Sequence, residues 1–211
     1  MIPYRMNPMG ISAPAMPTDG LVFYAPLNRS AATAKTGQPL TNVNATFTTL
    51  DGIACARVGA TSPNSYIATP AATLPKEREA RSISAWVNTD MGGTAMFYGY
   101  GKSSSGNAWM QGIECFSQYG DAIFMTTPQA TGKWHSVVTT FDGGSTVKCF
   151  IDGILNGQGY LYINTTVTDV NLYFGGSEML RQINGIHHIA AFRVYDRVLT
   201  QDEILILASE F

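Results

Sequence analysis

Hydrophobic and polar residues alternate along much of the chain with the period of two that is typical of β-strands. The clearest example is residues 134–152, where two runs rich in Val, Thr and Phe flank a turn at 142–145. We interpret this segment as a β-hairpin, and residues 152–153 as a second tight turn that leads to a third strand at Ile154. Phe150 interrupts the alternation, so we expect both faces of this sheet to be covered.

The same pattern predicts further short strands and one helix. The predicted strands cover residues 20–27, 40–47, 53–58, 65–68, 82–88, 94–100, 108–116, 121–127, 160–163, 171–174 and 185–195. The helix is predicted near the C-terminus, where Thr200 and Glu203 have the spacing of a capping box. An apolar stripe follows, formed by Ile204, Leu207 and Ala208. Many short strands with one late helix indicate an all-β sandwich.

The composition fits one large β domain and argues against two kinds of partner. Hydrophobic residues make up 45% of the 211 residues and charged residues 13%, with a formal net charge of −2. Because no basic stripe is available to neutralise phosphates, we expect no nucleic-acid partner. No apolar run approaches the roughly 20 residues of a membrane span, so we expect no membrane insertion.

The cysteines and the one charged run are both expected to be structural. Cys55, Cys115 and Cys149 are odd in number, widely spaced and without a Cys-x-x-Cys pair. We therefore expect buried free thiols rather than a disulfide framework or a metal site. The charged run PKEREAR at residues 75–81 is interpreted as a solvated connector.

The first 19 residues differ from the rest and are interpreted as an extended arm, with one domain covering residues 20–211. Prolines every few residues exclude a regular helix or a central strand, and no continuous apolar stretch of a signal peptide is found. An extended, Met-rich segment is suited to docking on the domain itself or on another subunit. The residues expected to anchor it are Met1, Ile2, Tyr4, Met6, Met9 and Ile11.

Several segments resemble one known family. They are SYI at 65–67, SISAWVN at 82–88, GKWHSVVTTFDGGSTVKCFIDGIL at 132–155, FGG at 174–176 and GIHHIAAFRVYDRVLTQDEILIL at 185–207. This order resembles the laminin-G-like, concanavalin-A-type jelly roll, which is also found in pentraxin-like and bacterial surface modules. The resemblance covers about residues 20–209, and its most specific part is the last segment. It implies a jelly-roll β-sandwich of two antiparallel sheets with one short C-terminal helix.

The resemblance also raises the question of catalysis, because the same fold is found in laminarinase-type glycoside hydrolases. Those enzymes carry a Glu-x-Asp-x-x-Glu pattern that supplies the two carboxyl groups of retaining hydrolysis. This pattern is absent here, and Glu114 has no acidic neighbour two residues away. His187 and His188 are consecutive on a predicted strand, so they point to opposite faces and cannot share one metal. We expect no enzymatic activity.

Calcium is the cofactor that the resemblance suggests. Relatives often bind Ca²⁺ through carboxylates just before the end of the last strand, and the matching positions here are Ala190 and Ala191. Calcium requires six to eight oxygen ligands, usually including several carboxylates. We therefore expect no calcium at the family's usual site, although Asp51 and Asp142 leave a site elsewhere open.

A sugar-binding patch is predicted around the Gly/Ser-rich loop 101–107. Sugar recognition uses an aromatic platform with a few hydrogen-bonding side chains. The candidate ligand-binding residues are Tyr98, Tyr100, Asn107, Trp109 and Gln111, with Arg181 from another loop. The alternative is that Tyr98 and Trp109 are core aromatics of the sandwich.

Three functional hypotheses follow. The first is a non-enzymatic module on a virion surface, such as a phage head decoration, head fibre or tail component, in which the arm binds other structural subunits in an oligomer and the jelly roll binds carbohydrate or protein. The second is a secreted or bacterial cell-surface carbohydrate-binding module. The third is a purely structural jelly roll in a lattice, without a ligand.

Overall fold

The structure is a computed structural model that describes residues 14–59, 65–92, 95–118, 120–127, 129–175 and 185–211. Within these ranges the chain forms fifteen strands and one helix. They are β1 (Leu21–Ala25), β2 (Thr41–Val43), β3 (Thr46–Leu50), β4 (Ile53–Gly59), β5 (Tyr66–Pro70), β6 (Arg81–Thr89), β7 (Met96–Gly101), β8 (Ala108–Gly112), β9 (Cys115–Ser117), β10 (Ala122–Phe124), β11 (Trp134–Phe141), β12 (Thr146–Ile151), β13 (Ile154–Tyr160), β14 (Asn171–Gly175), β15 (Ile186–Tyr195) and α1 (Gln201–Ala208).

The strands form two antiparallel sheets, which confirms the predicted β-sandwich. One sheet has the order β13-β12-β11-β6-β15-β4-β3, with β1 also paired to β15. The other has the order β10-β9-β8-β7-β14-β5-β2. A single large core lies between them, and at its centre the rings of Phe23, Phe174 and Phe192 pack edge to face or stack at 4.6–6.3 Å.

The predicted hairpin and its tight turn are confirmed. β11 pairs with β12 from Val137 opposite Ile151 to Phe141 opposite Val147, and β12 pairs with β13. Asp152 and Gly153 both have positive φ, as a tight turn between right-twisted strands requires. Phe150 packs against the helix while its neighbours face the main core, so both faces of this sheet are covered.

The C-terminal helix begins at the predicted capping box. The side chain of Thr200 accepts a hydrogen bond from the Glu203 backbone N–H, and the Glu203 carboxylate accepts one from the Thr200 backbone N–H. Ile204 and Leu207 are buried against the outer face of the first sheet. The indole of Trp86 donates to the Leu207 carbonyl at 3.0 Å, which ties the helix to β6.

Three strand predictions are corrected. Residues 40–47 form two strands, because Asn44 has a φ of 57° and turns the chain between β2 and β3. Residues 108–116 also form two strands, β8 and β9, separated by residues 113–114. Residues 160–163 are not a separate strand: β13 ends at Tyr160 and the following residues are irregular.

Other predicted features are placed as follows. All three cysteines are free and buried. Ala190 and Ala191 are buried in an apolar cluster with Cys55 and Trp86. In the part of the chain that the structure describes, no group of three or more His, Cys, Asp or Glu side chains is arranged to hold a metal ion. The same part contains no helix with the length and hydropathy needed to cross a membrane.

The end of the predicted arm contacts the domain. Met16 packs on the cluster around the helix, and the Pro17 carbonyl accepts a hydrogen bond from the Tyr195 hydroxyl at 3.2 Å. Asp19 forms an ion pair with Arg197 at 2.9 Å. The predicted anchoring residues Met1, Ile2, Tyr4, Met6, Met9 and Ile11 lie outside the described residues, so their role stays a prediction.

Candidate functional site

The structure corrects most of the predicted aromatic platform. Tyr98, Tyr100, Trp109 and Gln111 are at most 1% exposed. They lie on β7 and β8 and face the opposite sheet, and the Trp109 ring packs on Phe116 of the neighbouring strand β9. Gln111 is held inside by a hydrogen bond from the Thr139 hydroxyl to its Oε1. These four residues are core residues that an external ligand cannot touch.

The two other predicted ligand residues have different outcomes. Arg181 lies outside the described residues. Asn107 is half-exposed at the end of the loop before β8. The side-chain amide of Asn107 donates to the Ser104 hydroxyl at 2.8 Å, and the backbone carbonyl of Asn107 accepts from the Thr166 backbone N–H at 3.2 Å. Asn107 is therefore the one predicted ligand residue that the structure places at the surface.

Two exposed tyrosines lie close to this loop. Tyr160 is 80% and Tyr162 is 63% exposed, whereas Leu161 and Ile163 between and after them are buried in the main core. The extended chain alternates its side chains, so both tyrosines point outward and their Cα atoms are roughly 7 Å apart. The backbone N–H of Leu161 donates to the Ser145 carbonyl at 2.9 Å, which fixes this segment on the hairpin turn.

An arginine connects Tyr162 to the neighbouring loops. The Arg78 guanidinium lies over the Tyr162 ring, with its carbon 5.2 Å from the ring centroid, and donates a hydrogen bond to the Gly144 carbonyl. The backbone N–H of Asn164 donates to the Gly106 carbonyl at 2.7 Å. We call the surface formed by Arg78, Asn107, Tyr160 and Tyr162 the tyrosine rim.

A glycine allows loop 101–107 to approach the tyrosine rim closely. Gly106 has a φ of 76°, and a Cβ there would lie 3.2 Å from Tyr162 Cδ1 and 3.4 Å from Gln118 Oε1. Gln118 is 5% exposed, and its Oε1 has no hydrogen-bond partner among the described residues. Buried polar atoms are normally hydrogen-bonded, so this unpaired oxygen below the rim is an exception to the usual pattern.

The rim is built on a buried arginine, which corrects the interpretation of residues 75–81 as a solvated connector. Residues 76–79 are exposed, but Arg81 is fully buried. Its guanidinium donates to the carbonyls of Pro75, Lys76, Glu77 and Glu79 and to the Tyr100 hydroxyl at 2.7–3.0 Å. The connector therefore wraps around one cation, which fixes the position of Arg78.

The histidines take structural positions. His187 is fully buried, and burial lowers its pKa to about 4, while His188 on the opposite face of β15 is half-buried. The ring of His135 forms an ion pair with Asp152 at 2.8 Å beside the tight turn, and this hydrogen bond raises the pKa of His135. The predicted placement of His187 and His188 on opposite faces is confirmed.

Asp142 is also engaged locally. Its carboxylate accepts hydrogen bonds from the backbone N–H groups of Gly144 and Thr146 at 2.8 and 3.0 Å. Burial acts to raise the pKa of Asp142, but hydrogen bonds from the Thr146 side chain and from the backbone of residues 144–146 together lower it. The carboxylate therefore stabilises the hairpin turn below the rim.

The comparison with family models decides the family. Residues 60–205 match the model described as the concanavalin A-like lectin/glucanases superfamily. The chain belongs to this superfamily. The resemblance inferred from the sequence is thereby confirmed. A comparison with curated protein sequences gives no match.

Solved structures show the same fold at low sequence identity. Domain 4 of AbnA, a GH43 extracellular arabinanase from Geobacillus stearothermophilus solved in complex with arabinotriose, has a TM-score of 0.68 and 16% identity over 90% of this chain and 98% of that domain. The binding domain of Paraclostridial Mosquitocidal Protein 1 has a TM-score of 0.68 and 13% identity over 90% of this chain. The botulinum neurotoxin serotype G binding domain has a TM-score of 0.65 and 14% identity over 89%. This chain spans about half the length of the two toxin domains.

Sequence reasoning missed three of the four rim residues. Tyr160 and Tyr162 were included in a predicted strand, and Arg78 in a connector without a binding role. The alternation of Tyr160, Leu161, Tyr162 and Ile163 was the available signal, because it places both tyrosines on one face.

Proposed function

We propose that this protein is a non-enzymatic recognition module that binds carbohydrate at the tyrosine rim. The observation that supports the proposal is a pair of exposed tyrosines on one face, backed by Arg78 and flanked by Asn107. Tyrosine rings offer an apolar face for a sugar ring and a hydroxyl for hydrogen bonding. The Asn107 amide and the Arg78 guanidinium supply polar contacts at the edge. The structure of arabinanase domain 4 with arabinotriose, which has the same fold, supports carbohydrate as the ligand class.

The rim is preorganised for this role. Arg78 is positioned by the connector around Arg81 and by its hydrogen bond to the Gly144 carbonyl. The chain that carries the tyrosines is fixed by hydrogen bonds to residues 106, 107 and 145. A surface that is already ordered loses little conformational freedom on binding, which favours affinity.

A glycan array with the full chain tests the proposal. We expect binding to at least one class of neutral oligosaccharide, and loss of that signal in Tyr162→Ala. The matched control is Phe124→Ala, which removes another exposed aromatic ring, 62% exposed, from the edge strand β10. No glycan signal, or an equal loss in both variants, contradicts the proposal.

The finer proposal is that the module is displayed on a larger assembly, on a virion surface as a phage head decoration, head fibre or tail component. The Pro- and Met-rich composition of residues 1–13 supports an anchoring role for the arm toward other structural subunits. We expect the full chain to be oligomeric and a variant without residues 1–13 to be a folded monomer. Identical oligomeric states of the two forms would contradict the anchoring role.

The alternative location is the cell surface or the extracellular medium, where the module binds glycan without an assembly partner. The extracellular arabinanase domain supports this alternative. It predicts that removal of residues 1–13 leaves both the oligomeric state and the glycan signal unchanged.

A further inference from the structure

A concave surface lies apart from the tyrosine rim and shares no residue with it. It is a cleft of about 370 Å³ bounded by residues 26–35, which follow β1, and by β2, β3 and β5. Binding pockets for small molecules typically have volumes of about 300–1,000 Å³, so this cleft accommodates a small ligand. Its apolar part includes Leu27, Leu40, Phe47 and Ile67.

The backbone around the cleft is held in place by the fold. Leu27 has a φ of 56°, a conformation that is uncommon for leucine and that turns the chain out of β1. The preceding Pro26 carbonyl accepts a hydrogen bond from the Ala191 N–H at 2.9 Å. Beyond the turn, the Lys35 N–H donates to the Tyr24 carbonyl and the Leu40 N–H to the Ala32 carbonyl, both at 2.7 Å. The cleft is therefore a formed feature of the folded chain.

The charges at the cleft are all of one sign. Arg29 and Lys35 line it, and in the part of the chain that the structure describes no aspartate or glutamate does. Within the described residues neither cation has a carboxylate partner within 4 Å. The whole chain has a formal net charge of −2, so two unpaired cations at one cleft form a local positive site.

Polar neutral groups complete the lining. Asn28 is exposed at the edge of the cleft. Asn42 is fixed by two hydrogen bonds with Ala45, in which its Oδ1 accepts from the N–H at 2.9 Å and its Nδ2 donates to the carbonyl at 3.1 Å. A side-chain amide has two N–H donors, so one donor of Asn42 remains available to a ligand.

We propose that this cleft binds a carboxylated sugar of the uronic acid type. Its carboxylate pairs with Arg29 and Lys35, its ring packs on Phe47 and Leu40, and the amide of Asn42 donates to a hydroxyl. Charged hydrogen bonds to a carboxylate are stronger than neutral ones, so the carboxylate supplies the selectivity. This site is separate from the tyrosine rim and does not depend on the function proposed for it.

The experiment is a titration of the full ¹⁵N-labelled chain with sodium D-glucuronate, followed by amide chemical shifts. We expect saturable shifts confined to residues 26–42, 47 and 67. D-glucose lacks the carboxylate and sodium acetate lacks the sugar ring. Each is expected to bind at least about tenfold more weakly than glucuronate, because each makes only one of the two kinds of contact. Equal binding of acetate and glucuronate would overturn the proposal, since it would indicate a nonspecific anion site.

Two variants test the residues. Arg29→Gln and Lys35→Gln are each expected to weaken glucuronate binding about tenfold, because each removes one charged hydrogen bond. Lys148→Gln, which removes an exposed lysine from β12, is the matched control and is expected to change nothing. Both test positions are exposed, and an unchanged spectrum in the absence of ligand verifies the fold of each variant.

Glucuronate binding at the cleft can be distinguished from carbohydrate binding at the tyrosine rim. Tyr162→Ala is expected to leave the glucuronate titration unchanged. Shifts at residues 106–107 and 160–164 instead of the cleft would overturn this proposal while leaving the carbohydrate-binding proposal intact. An absence of saturable shifts anywhere would overturn it as well.

Discussion

Replacement of Arg81 should destabilise the connector behind the tyrosine rim, because its side chain makes most of the hydrogen bonds that hold this connector. Its guanidinium donates five hydrogen bonds, four to carbonyls of residues 75–79 and one to the Tyr100 hydroxyl. It also lies over the rings of Trp109 and Phe141 at 5.4 and 5.6 Å. Arg81→Met keeps an unbranched side chain of similar length in the core and removes all five donors.

The expected loss of stability in Arg81→Met depends on which carbonyl groups keep a hydrogen-bond partner. A typical hydrogen bond contributes a net of about 0.5–1.5 kcal/mol, so five bonds give roughly 2.5–7.5 kcal/mol. Three of the four carbonyls keep a second donor, since Pro75 accepts from Tyr100, Lys76 from Glu79 and Glu77 from Thr165. Methionine also avoids the cost of burying a cation. Both points favour the low end, and we expect a loss of about 3 kcal/mol in the free energy of unfolding.

Urea denaturation followed by tryptophan fluorescence measures this loss, because Trp109 lies directly against Arg81. Arg81→Lys is expected to be destabilising too, since one ammonium group cannot reach acceptors in the planar arrangement that a guanidinium serves. Arg78→Met, at an exposed position of the same connector, is the control and should change stability by less than about 0.5 kcal/mol. A loss below about 1 kcal/mol in Arg81→Met would refute the assigned role.

Three further predictions concern the rest of the fold and the response to calcium. The ion pair with Asp152 raises the pKa of His135, so it stabilises the protein below about pH 6.5 and this contribution is lost as the pH rises. The same pair lowers the pKa of Asp152, so the contribution also requires a pH above about 4. In urea titrations His135→Gln should therefore cost about 0.5 kcal/mol more at pH 5 than at pH 9, a small value because the Asp152 side chain is 47% exposed. Trp109→Ala should cost about 3–5 kcal/mol because the side chain is fully buried, and equal stability to wild type would contradict its place in the core. Addition of 5 mM CaCl₂ or EDTA should leave Tm unchanged within about 1 °C, whereas a calcium-dependent rise would indicate a bound ion.

Most of the fold could be predicted because its signals are local. The alternation in residues 134–152, the Asp152–Gly153 turn and the capping box at Thr200 each depend on neighbours in the sequence. The opposite placement of His187 and His188 follows from the same period of two. Strand ends were less predictable, since the break at Asn44 depends on a backbone angle that asparagine tolerates but does not require.

The candidate site was less predictable because exposure depends on which sheet covers which face. Tyr98 and Tyr160 are both strand tyrosines. Only the position of β7 inside one sheet and of β13 at the edge of the other separates a core ring from a surface ring. Arg81 belongs to a charged run, and nothing local shows that its side chain enters the core. Such outcomes are set by long-range packing rather than by residue type.

The most direct measurement is the affinity of the tyrosine rim for the strongest glycan from the array, by isothermal titration calorimetry. We expect Tyr162→Ala to weaken binding by about 1–2 kcal/mol, or roughly 5–30-fold, as the loss of one aromatic contact predicts. Tyr160→Ala should weaken binding as well, while Phe124→Ala should leave it unchanged. Wild-type affinity in both tyrosine variants would contradict a carbohydrate site at this rim.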